Sequence, residues 1–271
     1  MEARGPQGAR EGSVTSLIFP TYNPGPGLAS TWQKVRRFMA VAPGHWEILF
    51  VCDGCTDGTP ERLRRWAEAA GGLVRVLSHS PNRGKGYAVR QGLLAATGRY
   101  RLFTDVDLAY SFEDILRVAR ALWAGQDVVV GARLHPESRL VLSPQLQRYA
   151  YRRHLQSLVF SRLARWLLPL HQADTQAGLK GMSAEVAEQI VPRLRCDGFG
   201  FDCELLAWCA CLGVSVAEVP VTVRLTQASS TTGMRHAGRM LQELWDIRRS
   251  LRRRRPVATS QTNTGACPVT A

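Results

Sequence analysis

Lysine is nearly missing from this chain. Lys34, Lys85 and Lys180 are the only lysines among 35 basic residues, and arginine supplies the rest. Acidic residues number 22, which leaves a formal net charge of +13. Such an excess suits a polyanionic partner: phosphates, nucleic acid or an anionic membrane surface. It describes equally well an arginine-rich chain with no partner of that kind. Long apolar runs are also missing, since no stretch of about 18 apolar residues occurs. Leu155–Leu170 is broken by Arg162 and Arg165, and Leu205–Val219 is short and meets Glu218. Met1–Gly12 is polar and has no apolar segment of the kind a secretion signal needs. These absences predict a chain without a membrane span, cytoplasmic or peripheral at the cytoplasmic face of a membrane.

A disulfide framework is excluded as well. Seven cysteines is an odd count. Cys52 and Cys55 form a Cys-x-x-Cys, which suits redox chemistry or half of a zinc site. No second pair with ligand spacing follows: one residue separates Cys209 from Cys211, and six separate Cys196 from Cys203. Recognisable nucleic-acid motifs with interleaved aromatics are absent too, so no nucleic-acid partner is expected despite the charge.

What the sequence does have is organised around Leu102-Phe103-Thr104-Asp105-Val106-Asp107-Leu108-Ala109-Tyr110. A short apolar run bounded by polar residues reads as a buried strand of a parallel sheet. Carboxylates at the carboxyl end of such a strand project into the crevice where α/β proteins bind ligands. Asp105 and Asp107, one residue apart, repel each other unless a cation lies between them. A hard divalent ion carried with substrate phosphates, Mg²⁺ or Mn²⁺, is the matching partner. The alternative is that one of them caps a helix starting near Ser111.

The same punctuation repeats along the chain. Val14–Phe19, Glu47–Val51 and Leu73–Ser78 read as strands, each closed by a polar loop and followed by a helical pattern: Leu28–Val41, Glu61–Ala70, and a helix containing Ala88, Val89, Leu93 and Leu94. The strand ending at the Asp-x-Asp is the fourth. Four strand–helix units in succession predict a doubly wound parallel sheet whose loops frame one nucleotide pocket. Further on, Gln126–Gly131 reads as a strand and Gln145–Leu168 as a long helix. A helix starts at Ser183, and Asp197–Glu204 turns into another over Leu205–Leu212. Val214–Val223 alternates as a late strand that Pro220 marks as an edge. Gly233–Arg252 is a basic amphipathic helix running into Arg252–Arg255, and Pro256–Ala271 reads as disordered. The predicted division is a disordered 1–13, one domain over 14–232, the terminal helix over 233–255, and the tail 256–271. The terminal helix either lies on an anionic membrane or packs on the domain through Leu241, Leu244 and Trp245.

Seven blocks then stand in a familiar order: Pro20-Thr21-Tyr22-Asn23, Cys52-Asp53-Gly54-Cys55-Thr56-Asp57-Gly58-Thr59, Asn82-Arg83-Gly84-Lys85-Gly86, Asp105-Val106-Asp107-Leu108, Gly131-Ala132-Arg133, Asp174–Lys180 and Gly198–Glu204. Over about Val14–Thr232 the chain resembles the inverting GT-A family 2 glycosyltransferases. The nearest branch is that of dolichyl-phosphate mannose synthases and dolichyl-phosphate β-glucosyltransferases. The resemblance implies an α/β GT-A fold in a single domain, a mostly parallel Rossmann-like central sheet flanked by helices. It also implies a nucleoside diphosphate sugar donor, one divalent metal and a polyprenyl-phosphate-like acceptor. Carried over by position, Pro20 and Tyr22 line the nucleotide site, Asp53 reads the base, Asp105 and Asp107 hold metal and diphosphate, and Arg133 lies near the phosphates. Asn23, Asp57, Asn82, Gly84 and Lys85, from the same blocks, join the donor site. The chain departs from the family pattern at Pro24, Cys52, Cys55 and Ala109. An acceptor that is a phosphate monoester, with its second pKa of about 6, needs no general base. A hydroxyl acceptor needs one, and Asp202 or Glu204 is the candidate, though Asp202 could equally cap a helix.

Overall fold

The computed structural model describes residues 13–142, 144–225 and 237–254. Its first half is five strands alternating with four helices: β1 (Val14–Thr21), α1 (Gly27–Val41), β2 (His45–Asp53), α2 (Thr59–Glu68), β3 (Val74–His79), α3 (Lys85–Ala95), β4 (Tyr100–Phe103), α4 (Phe112–Trp123) and β5 (Val128–Ala132). The second half runs β6 (Arg139–Leu142), α5 (Gln147–Leu167), β7 (Lys180–Ser183), α6 (Ala184–Ile190), α7 (Phe201–Leu212), β8 (Val216–Pro220), β9 (Thr222–Leu225) and α8 (Ala237–Arg254).

Seven strands form one sheet in the order β3-β2-β1-β4-β7-β5-β8. The central strands read as continuous apolar runs because both sheet faces are covered. Leu17, Phe19, Ile48 and Phe50 point into a core under α1, α2 and α4. Ile18, Leu49 and Val51 point the other way, into a core shared with α3, α6 and α7. Chain reversal after each strand leaves the loops following β1, β2, β3 and β4 along one edge of the sheet.

The first four strands run parallel and the sheet is mostly parallel, as expected, with one strand reversed. β7 runs antiparallel to both neighbours, β4 and β5. Its register places Lys180 opposite Phe103, the last residue of β4. An antiparallel strand begins where its parallel neighbours end, so β7 delivers its first residue, Lys180, to the edge that carries the loops.

Two expectations are corrected and one alternative is set aside. The single strand expected over Val214–Val223 is two: β8 closes the large sheet as an edge beside β5, and β9 pairs with β6 in a separate two-stranded ribbon. Pro220, with no N–H to donate, stands where the chain leaves the large sheet. The helix expected from Leu205 starts at Phe201, because Glu243 of α8 accepts a hydrogen bond from the N–H of Gly200 at 2.8 Å and caps it from a distance. The cap of α4 is Ser111 itself, whose Oγ accepts from the N–H of Asp114 while the Asp114 carboxylate accepts from the N–H of Ser111. Neither Asp105 nor Asp107 performs that task.

The terminal helix packs on the domain through Leu244, Ile247 and Leu251, which enter the core. Leu241 and Trp245, expected to pack with them, stay about half exposed. The expected disordered ends and the start of the terminal helix at Gly233 lie outside the described residues, Ser13 excepted.

Candidate active site

At the edge of the sheet the loops are tied to one another by side chains of the predicted set. After β1, Asn23 adopts a left-handed backbone (φ 40°) and accepts a hydrogen bond from the N–H of Thr56 in the next loop at 2.9 Å. Asp57 returns the tie, accepting from the N–H groups of Gly25 and Thr59 at 3.4 and 3.1 Å. Burial works to raise the Asp57 carboxyl, but these hydrogen bonds outweigh it and hold it below its ordinary range. Pro20 is buried in β1, whereas Tyr22 is exposed.

Asp53 closes β2 and is only 3% exposed. Its Oδ1 accepts from the N–H of Arg83 and meets Nε2 of His79, both at 2.7 Å. Its Oδ2 accepts from the N–H of Gly84 at 2.8 Å, and Asn82 donates to its backbone carbonyl at 2.9 Å. Asp53 therefore shapes the loop before α3, with Asn82 and Gly84 as its partners. Gly54 makes this approach possible: at φ 66°, a Cβ there would fall 2.2 Å from the backbone nitrogen of Asn82. Beside it, the Cys55 thiol donates to the carbonyl of Thr21 at 3.3 Å. A hydrogen bond from Cys52 outweighs burial and lowers the Cys55 thiol to about 7.

One cluster lies beyond this loop. Nζ of Lys85, at the start of α3, sits 2.5 Å from Oδ1 of Asp105. Burial works against the Lys85 charge, but Asp105 and Asp202 hold its ammonium above the ordinary lysine value. Asp105 leans over Gly178, where a Cβ would lie 2.4 Å from Oδ2; only a glycine lets the carboxylate settle there. Asp107, in the same turn, is exposed and accepts from the N–H of Ala109 at 3.2 Å. Arg133, following β5, grips the buried Asp174 through Nε and Nη2, both at 2.7 Å. Burial opposes the charges of both partners, yet the fork-on-carboxylate pairing prevails, raising the arginine and lowering the carboxyl. Lys180 is completely buried and donates to Asp202 Oδ1 at 2.6 Å and to the carbonyl of Ala177 at 2.5 Å. Tyr110 stands among these groups, its hydroxyl accepting from the N–H of Gly178 at 3.1 Å, and burial pushes it up to about 12.

The structure thus brings Lys85, Asp105, Arg133 and Asp202 into one charged cluster and sets Asp53, Asn82 and Gly84 behind it. Asn23 and Asp57 join the first two loops at its flank. The second base candidate, Glu204, is buried and accepts from the N–H groups of Arg195 and Cys196. Sequence reasoning passed over Lys180, Asp174, Tyr110 and His79 as site residues. One signal was available, since a lysine in an otherwise apolar strand must be paired.

The donor set of the Asp-x-Asp turn is hard oxygen, which fits Mg²⁺ or Mn²⁺. Among the described residues no three His, Cys, Asp or Glu side chains gather to hold a metal unaided. An ion held by Asp105 and Asp107 would complete its shell with water and phosphate oxygens, the usual arrangement for Mg²⁺.

Comparison with known proteins places these observations. The pattern of the family described as "Glycosyl transferase family 2" matches residues 16–191. A dolichyl-phosphate beta-glucosyltransferase of Dictyostelium discoideum is 30% identical over 212 residues, covering 76% of this chain and 65% of the relative. One of Drosophila melanogaster, with the same description, is 32% identical over 219 residues with the same coverage. The chain thus spans 65% of the length of these relatives. Among solved structures, the mannosyltransferase PcManGT from Pyrobaculum calidifontis in complex with GDP-Man and Mn²⁺ has a similar fold. Its TM-score is 0.53 at 20% identity, over 92% of this chain and 64% of that one. The mixed sheet and its helical layers are those of a GT-A-like single domain.

Proposed function

The chain belongs to glycosyl transferase family 2, and from that premise we propose that it moves a hexose from a nucleoside diphosphate sugar to a polyprenyl phosphate, with inversion at the anomeric carbon. The donor is of the UDP-glucose or GDP-mannose type. Relatives described as dolichyl-phosphate beta-glucosyltransferases support the acceptor class.

The observation that carries the reading is the pairing of Asp202 with Lys180. A hydroxyl acceptor needs a base to take its proton. Proton uptake by Asp202 would leave a completely buried ammonium without its counter-ion, at a cost of several kcal/mol. Glu204 spends Oε2 on two backbone N–H groups and lies buried. A phosphate monoester asks for neither, because it arrives as an anion.

The remaining roles follow from charge. Lys85 and Arg133 present fixed positive charge to the donor diphosphate, in positions held by Asp105 and Asp174. Asp53 fixes the Asn82–Gly84 loop and so the place from which Lys85 reaches the donor. Asp105 and Asp107 would hold a divalent ion, which would supply Lewis acidity toward the leaving diphosphate.

The test is direct. Purified chain is incubated with labelled UDP-glucose or GDP-mannose, Mn²⁺ and either a short-chain polyprenyl phosphate or glycerate. Label entering the lipid phosphate is the expected result. Transfer to the glycerate hydroxyl alone would overturn the acceptor class, and donor binding without any turnover would make the chain a nucleotide-sugar sensor.

A further inference from the structure

The outward face of α5 is apolar. Tyr151, Leu155, Val159 and Trp166 are 69, 51, 61 and 77% exposed. At 3.6 residues per turn these four positions share one side of the helix. The buried residues Ala150, Ser161 and Ala164 lie on the opposite side. A helix on the surface of a soluble domain has polar residues where α5 has aromatic and aliphatic ones. The charge of α5 is equally one-sided: five arginines, and no Asp or Glu, occur between Gln147 and Leu167. Arg148 and Arg162 lie on the exposed side with the apolar stripe.

The stripe continues toward α8. Arg248 donates to the carbonyl of Leu167 at the end of α5 (3.4 Å), and its guanidinium lies 6.0 Å from the ring of Trp245. Trp245 and Leu241 are the apolar residues of α8 that stay about half exposed. Met240, Leu244, Ile247 and Leu251 of the same helix are buried. The sequence pattern left the terminal helix either on a lipid surface or packed on the domain; the packing buries much of its apolar face and leaves four large apolar side chains of α5 bare.

We propose that the outer face of α5, flanked by Leu241 and Trp245, seats on an anionic lipid surface. Exposed Trp and Tyr beside aliphatic residues match the boundary between headgroups and acyl chains. Arginines on a helix whose sequence holds no Asp or Glu match the negative headgroups rather than a second copy of a chain carrying +13. The inference rests on the polyprenyl-phosphate reading for its purpose, since such a surface would bring a lipid acceptor to the sheet edge, but it is measurable without turnover.

The experiment is co-sedimentation of the whole chain with vesicles of phosphatidylcholine alone, or of phosphatidylcholine with phosphatidylglycerol, at low and high salt. Binding to the anionic vesicles only, with release by salt, is expected. The variant Leu155→Ser/Val159→Ser/Trp166→Ser should bind about tenfold or more weakly. Its thermal melt and its transfer to a short-chain polyprenyl phosphate in detergent should match wild type. Trp166→Ser alone is the milder variant, should the triple fail to fold. Wild-type chain that ignores anionic vesicles, or variants that bind them unchanged, would overturn the proposal. So would a dimer dissolved by the same substitutions, because a second copy would then be what covers the face. Vesicle binding through α5 with no transfer to any polyprenyl phosphate would leave this surface standing and remove the acceptor reading instead.

Discussion

Nζ of Lys85 and Oδ1 of Asp105 are 2.5 Å apart, joining the loop that follows β3 to the turn that follows β4. The pair places a positive charge and a carboxylate at the same point of the sheet edge. Replacing Lys85 by Met strands Asp105 and removes the charge that the proposed function sets toward the donor diphosphate. Transfer at saturating donor should fall by ~10²-fold or more, as for loss of one preorganised electrostatic contact. Lys85→Arg should restore part of the rate. A Lys85→Met enzyme with wild-type single-turnover kinetics would remove Lys85 from the reaction.

Asp107 separates function from stability. It is exposed, so Asp107→Ala should change unfolding free energy by about 0.5 kcal/mol or less. The same variant should lose Mn²⁺-dependent transfer and the calorimetric signal of Mn²⁺ binding in the presence of nucleoside diphosphate. Full activity in excess chelator would dismiss the metal role of both aspartates.

The Lys180–Asp202 pair is buried on both sides. Asp202→Asn leaves an uncompensated ammonium and should cost roughly 3–5 kcal/mol by urea unfolding. Lys180→Met/Asp202→Leu should recover much of that loss, since a well-packed apolar pair of similar volume is often neutral. A double variant no more stable than Asp202→Asn would mean that the carboxylate's value lies elsewhere.

Much of this fold can be read from the sequence, and the reasons it can are local. Strands β1 to β5 announce themselves as short apolar runs, and the glycines and prolines between them mark loops at the expected places. The fourth strand's aspartates and the Gly-Lys-Gly that opens α3 likewise stand out as residue types with few structural uses. What escaped was non-local. The antiparallel entry of β7 depends on which strand it meets, and the early start of α7 on a Glu243 supplied from forty residues away. Asp53 reads as a base-recognising residue from its motif, yet its oxygens meet Arg83, Gly84 and His79. No spacing rule reveals such partners.

Cys55 offers a chemical probe of the loop that follows β2. Its thiol is lowered to about 7, so alkylation by iodoacetamide should follow a pH profile centred near 7, well below an ordinary cysteine near 8.5. Nucleoside diphosphate should slow the reaction, and Cys55→Ser should abolish it at that site. A profile centred near 8.5 would contradict the hydrogen bond from Cys52.

Acid should loosen the Arg133–Asp174 grip. Asp174 is held below its ordinary range when folded, so the unfolded chain binds more protons as the medium turns acidic. The stability contributed by the pair is complete above the unfolded value of about 4 and is lost as pH falls through the lower folded value. Arg133→Met/Asp174→Leu should show a shallower loss of stability in that window. An unchanged acid limb in urea titrations would assign the acid sensitivity to other carboxylates.

The position of β7 between β4 and β5 also bears on biosynthesis. Until Lys180–Ser183 has left the ribosome, β4 and β5 have no common neighbour, and each presents a row of unpaired backbone groups. Roughly two-thirds of the chain must therefore be made before the sheet closes. A nascent chain that stalls earlier leaves one edge of β4 and both edges of β5 open, the latter led by Val128, Val129 and Val130, and such edges invite association.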